Sequence, residues 1–300
     1  MNSLIHPGMA ALLLVVTSVT AWAQEPAPAT APTSAPAPTS VVDTGPIPVV
    51  QRPLWELGLG LSVLNVPDYR GADQSHRYLL PFPYIVYRGT WFRSDRNGTR
   101  AMLFDSQRVK LDLSLGAAVP TRSETAAREG MPDLPGNAEV GPSINILLVE
   151  PANQHYKLEL RLPLRAAISL ERSPRYVGAT FSPNLNLDIS AAGGWNIGVL
   201  TGPLFANRKY HAEYYEVSDL YATAQRPAYT ARGGYAGWQS LASTSRRFGN
   251  TWAAGFVRYE GLHGAVYDDS PLVRRKSALT VGFAVSWVFA TSSTSVNATD

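Results

Sequence analysis

The chain has 300 residues, no cysteine, and a formal net charge of +3 from 26 Lys plus Arg against 23 Asp plus Glu. Zero cysteine excludes disulfide scaffolds, Cys zinc sites and thiol catalysis. The small net charge, with no window rich in Lys or Arg, argues against nucleic acid, which demands a clustered basic footprint.

Residues 1–23 read as a signal peptide. Met9 to Val19 is a short apolar core, and Ala21-Trp22-Ala23 fits the small-x-small cleavage rule, with the cut after Ala23. A core this short cannot span a bilayer as a helix, which needs about 20 residues. Residues 24–53 form a Pro/Ala-rich disordered spacer (EPAPATAPTSAPAPTS) with too little apolar surface to fold.

From 54 to 289 the dominant period is two. Leu57, Leu59 and Leu61 oppose Glu56, Gly58, Gly60 and Ser62. Leu111, Leu113 and Leu115 oppose Lys110, Asp112 and Ser114. Leu158, Leu160, Leu162 and Leu164 oppose Lys157, Glu159, Arg161 and Arg165. Leu279, Val281, Phe283, Val285, Trp287 and Phe289 oppose Thr280, Gly282, Ala284 and Ser286. Segments of about 10 to 14 residues exceed the soluble average of about 5 to 6 and suit tilted strands crossing a bilayer. Aromatic residues gather at strand ends (Trp55, Tyr87, Trp91, Phe104, Tyr156, Tyr176, Trp195, Trp252, Trp287, Phe289), as interfacial girdles require.

The predicted strands are 54–64, 77–88, 90–95, 99–105, 107–118, 138–149, 155–169, 176–190, 193–206, 233–246, 250–262 and 276–289. Alternate connections are uniformly short (88–90, 105–107, 150–154, 191–194, 248–250), while most of the others are long. Outer-membrane barrels have short periplasmic turns, long outer loops and an even strand count. The fold class is therefore all-β, a transmembrane antiparallel β-barrel of 12 strands, or 10 if residues 90–105 make one strand and another boundary shifts. Both ends are expected on the periplasmic side. Residues 290–300 form a polar C-terminal tail.

Phase places Glu56, Lys110, Asp112, Lys157, Glu159, Arg161, Arg165 and Asp188 in the lumen as a charge network, with Arg258 and Glu260 joining them if the ambiguous stretch 252–259 takes that phase. Buried charges need partners or water, so both a constricted interior and a narrow polar pore remain open. No catalytic, cofactor or metal residues are assigned. His76, His211 and His263, with Asp73, Asp219, Asp268, Asp269 and Ser270, fall in outer loops, but no Gly-x-Ser-x-Gly elbow or HExxH motif accompanies them. The Tyr-rich stretch 209–232 suits either a recognition surface or a plug of the barrel mouth.

Several stretches resemble the MipA/OmpV family of outer-membrane barrels, named for an MltA-interacting protein. They are Pro67-Asp68-Tyr69-Arg70-Gly71-Ala72-Asp73, Leu80-Pro81-Phe82-Pro83 with Tyr87-Arg88, Glu139-Val140-Gly141-Pro142, Leu162-Pro163-Leu164-Arg165, Phe181-Ser182-Pro183, Gly202-Pro203-Leu204-Phe205-Ala206-Asn207 with Tyr210 and Tyr214-Tyr215, Gly264-Ala265, and Asp269-Ser270-Pro271-Leu272-Val273. The resemblance implies a non-enzymatic scaffold in the outer membrane, in contact with its lipid. Its partners would be a membrane-bound lytic transglycosylase and a bifunctional penicillin-binding protein, serving peptidoglycan assembly. Porin-like members imply an alternative, a narrow channel for small solutes; a loop-based hydrolase is a distant third. The sequence departs from the family pattern in its long spacer and in the polar tail after Phe289.

Overall fold

The computed structural model describes residues 50–88, 92–95, 98–106, 108–118, 126–151 and 155–298. The signal segment, most of the spacer, Trp91 and parts of the turns expected at 88–90, 105–107 and 150–154 lie outside them. In chain order the strands are β1 (Val50–Pro53), β2 (Trp55–Pro67), β3 (Ser75–Arg88), β4 (Phe92–Asp95), β5 (Gly98–Asp105), β6 (Val109–Ala118), β7 (Asn137–Val149), β8 (Tyr156–Ser169), β9 (Tyr176–Phe181), β10 (Asn184–Ala191), β11 (Trp195–Ala206), β12 (Gly234–Phe248), β13 (Thr251–Gly261), β14 (Ser277–Thr291) and β15 (Ser295–Ala298).

From β2 to β9 each strand pairs antiparallel with its neighbour in sequence, as do the strands from β10 to β14. β14 returns to β2. β9 and β10 both lie between β8 and β11, as two halves of one strand position. The break falls at Ser182-Pro183, where proline has no N–H to give the ladder. Twelve strand positions thus close the ring among the described residues. The stretch 90–105 holds two strands, β4 and β5, and the ladder is thinnest there: among the described residues β3 meets β4 at Tyr87 and Arg88 alone.

The barrel is apolar outside. Along β2, Leu57, Leu59, Leu61 and Val63 are exposed while Glu56, Gly58, Gly60, Ser62 and Leu64 are buried. Along β14, Leu279, Val281, Phe283, Val285, Trp287 and Phe289 face out. A band of this size facing water would drive association, whereas lipid accommodates it. At the short-turn end Trp287 neighbours Phe289, and Trp195 meets Phe248 edge-on with the Arg246 guanidinium against both rings.

Trp252 departs from the expected girdle. It points inward, 1 % exposed, and packs on Tyr84 with ring centroids 5.7 Å apart. Pairing decides its phase: Trp252 stands opposite Ser286, on the inward face of β14. With Phe82, Tyr84, Val86, Ala254, Ala284 and Val288 it forms an apolar filling inside the barrel. Phe82 fits because Gly60 lacks a side chain; a Cβ there would lie 2.3 Å from the Phe82 ring.

At the short-turn end β1 pairs with β15, from Val50↔Ala298 to Pro53↔Ser295. The end of the spacer and the tail therefore continue the β2–β14 pair as a two-stranded ribbon.

Candidate functional site

The long-loop end is covered by its own loops. After β11, Asn207 caps helix α1 (Arg208–Tyr215), its side-chain oxygen accepting from the Tyr210 N–H at 2.9 Å. The same oxygen accepts from the Ala179 N–H at 3.1 Å, tying the helix start to β9. Gly178 makes this approach possible, since a Cβ there would lie 2.5 Å from the Tyr210 nitrogen.

One side of α1 carries His211 and Tyr215 into a buried cluster with Tyr69, Ala72, Ala127, Met131, Leu134, Val217, Leu262, Ala265, Tyr267 and Leu272. The Tyr215 and Tyr267 rings stack with centroids 3.7 Å apart, and Tyr69 meets Tyr215 edge-on. Buried phenols need acceptors, and each finds a main-chain carbonyl on another segment. Tyr69 donates to Leu272 at 2.7 Å, Tyr215 to Arg70 at 3.0 Å, and Tyr267 to Ala236 at 2.8 Å. Burial raises the pKa of Tyr69 to about 12 and that of Tyr215 well above the usual phenol value.

Two arginines clamp neighbouring loops. Arg226, buried, donates from Nη1 to the carbonyls of Ala127 (3.2 Å) and Glu129 (2.9 Å), and from Nε and Nη2 to Tyr221. Arg128 answers from the other loop, donating to the Tyr214 carbonyl at 2.9 Å and the Pro132 carbonyl at 3.3 Å. Three stretches that carry the family resemblance meet in this cap. Gly71 accepts from Arg274 and Arg275, Tyr69 reaches Leu272, and Tyr214-Tyr215 lies between them.

Below the cap the lumen is charged. Glu159 takes Lys157 and, at 2.7 Å, Arg161, which also lies 3.5 Å from Asp188. Asp112 accepts from Asn145 at 2.7 Å. Lys110 is half-buried on β6. Arg165 donates to Ser114 Oγ at 2.9 and 2.7 Å and stands 3.9 Å from Glu139. Glu56 is gripped by Arg88 at 2.8 Å and by Arg247 from β12. The structure thus brings Lys157, Glu159, Arg161 and Asp188 together on β8 and β10, but sends Asp112, Arg165 and Glu56 to separate partners. The sequence reading left out Glu139, Arg88, Arg247 and Arg70. Glu139 was readable, since Glu139, Gly141, Ser143 and Asn145 alternate with apolar residues. Arg70 and Arg226 sit in aperiodic loops, where alternation assigns no face.

The loop histidines do not assemble with a nucleophile. His76 contacts Asp68 at 2.5 Å on the surface. His211 Nδ1–H donates to the Arg232 carbonyl at 2.6 Å. Burial holds the His211 pKa below its usual 6.5. His263 is exposed. Ser270 donates to the Tyr215 carbonyl at 2.9 Å, and Asp269 accepts from Tyr229 at 2.7 Å. Among the described residues no group of three or more His, Asp or Glu is placed to hold a metal.

A family model described as "MltA-interacting protein MipA" matches residues 59–289, nearly the whole closed wall and its cap. The chain belongs to the MipA family. This MipA-family chain is an outer-membrane β-barrel, in keeping with the lipid-facing surface above. No curated protein matches it. Among solved structures it is similar to a porin refined at 1.8 Å, with 11% identity, 78% of this chain and 100% of that one covered, and a TM-score of 0.32. A likeness that distant carries no functional argument.

Proposed function

We propose that this chain is a closed outer-membrane barrel that works through its periplasmic end as a scaffold, holding a murein hydrolase of the lytic transglycosylase type near a murein synthase. In this reading the chain is exported by a signal peptide cut after Ala23, the capped end faces outward, and it performs no catalysis of its own. The observation that carries it is the cap. A mouth crossed by loops that stacked tyrosines and reciprocal arginine clamps hold together is poorly suited to free diffusion, which shifts the useful surface to the opposite end. There the β1–β15 ribbon, preceded by the spacer, offers contact surface beyond the short turns. The family description, an MltA-interacting protein, supports a partner of this kind.

The test pairs two measurements on the full chain. Detergent extraction followed by affinity capture should retain a lytic transglycosylase, and deletion of residues 24–53 with 290–300 should lose it. Planar bilayers should show no steady conductance. Steady conductance without partner capture would replace the scaffold by the porin-like alternative.

A further inference from the structure

Seven groups from six separate elements meet directly beneath the cap. Arg70, from the β2–β3 loop, is 2.6 Å from Glu260 on β13. Its Nη1 is buried with no hydrogen-bond partner. Glu139 on β7 accepts from Tyr210 of α1 at 3.0 Å and from Thr180 at 3.3 Å, and lies 3.9 Å from Arg165 on β8. Arg258 stands two residues from Glu260 on the same inward face of β13, close enough to repel Arg165. Among the described residues Arg258 has neither hydrogen bond nor ion pair. Three guanidiniums therefore share two carboxylates, and both carboxylates are already engaged.

We propose that this surplus is an anion-binding site: an oxyanion, carboxylate or phosphate in chemistry, bridges Arg258 and Arg165 beneath the cap. Guanidinium forks match planar or tetrahedral oxyanions through paired hydrogen bonds, which a lone ammonium cannot do. The place is wet enough to admit a solute. The side chains of Arg70 and Arg165 keep 22% and 23% exposure although they point inward. Those of Lys157, Arg161 and Asp188 keep 22%, 18% and 26% further down. With Glu139 and Glu260 already engaged, the unpaired charge of Arg258 is costly in a partly desolvated interior, and a bound oxyanion removes that cost.

The test uses the full chain, purified in detergent without partners, so its outcome is independent of the scaffold reading. Thermal unfolding is followed by tryptophan fluorescence with sodium phosphate, sodium succinate or sodium chloride at matched ionic strength. Phosphate or succinate should raise the unfolding temperature above chloride in a saturable way, and the more effective of the two identifies phosphoryl or carboxyl chemistry. Arg258→Gln removes no bond of the fold and should weaken the apparent affinity tenfold or more. Arg258→Glu supplies a tethered carboxylate, so it should stabilise the barrel without added anion and abolish the response. If neither anion exceeds chloride, or if Arg258→Gln responds as the parent does, the proposal is wrong.

Discussion

Arg226→Met isolates the joint that keeps the barrel mouth covered. The side chain is buried, and Met keeps most of its volume while deleting every donor. Two of its bonds cross between loops, Nη1 to the carbonyls of Ala127 (3.2 Å) and Glu129 (2.9 Å); the others stay within its own loop at Tyr221. A hydrogen bond from a charged donor contributes about 1.5 to 3 kcal/mol net. Both lost together set a ceiling of about 6 kcal/mol, and water reaching the freed carbonyls reduces it to about 2 to 4 kcal/mol. At 1.4 kcal/mol per tenfold, cap opening becomes roughly 30 to 700 times more frequent. Amide hydrogen exchange reads that equilibrium locally. The Val217 and Tyr229 amides, each bonded to the other's carbonyl at 2.9 Å, should lose protection. Amides in the β13–β14 ladder should keep theirs. Unchanged exchange at Val217 and Tyr229 would refute the clamp.

Three further perturbations probe other parts. Glu159→Gln, which strips one buried carboxylate from both Lys157 and Arg161, should cost about 1 to 3 kcal/mol in urea unfolding, reduced from the figure for a dry ion pair because both cations are partly hydrated. Asp188→Asn weakens one 3.5 Å ion pair with Arg161 and keeps an oxygen for the 2.9 Å bond from Asn186, so it should cost less, and the opposite ranking would misplace the network's centre. Leu61→Arg places a cation on the lipid face and should cost about 2 to 4 kcal/mol in refolding into liposomes; unaltered stability would mean that the face is not in lipid. His211 is held neutral in the folded cap, with its pKa below 6.5, so the unfolded segment binds a proton first. Cap stability is then full above about pH 6.5 and declines as pH falls toward the folded pKa. His211→Gln should flatten that slope in exchange measured across pH 7 to 5, and a slope that persists would assign the effect to another group.

The barrel wall is legible in the chain alone. A strand's in-and-out alternation depends only on neighbouring residues, so Leu57 to Val63 and Leu279 to Phe289 could be placed facing out, and Lys157 to Arg165 facing in, without any partner. Alternating loop lengths gave twelve strands in the same way. Tertiary structure decided the rest, because it depends on contacts far apart in the chain. The stretch 252–259 has apolar residues on both faces, and only pairing with β14 turned Trp252 inward, where Gly60 and Gly282 leave room for aromatic rings on neighbouring strands. The loop tyrosines could equally have faced solvent; Tyr69, Tyr215 and Tyr267 are drawn in by carbonyls between 31 and 203 residues away. The partners of Arg165 and Glu56 likewise follow from closure of the ring, which sets Ser114 and Arg247 beside them. A buried polar group must be satisfied by whatever the closed barrel brings within reach, and no local pattern encodes which group that is.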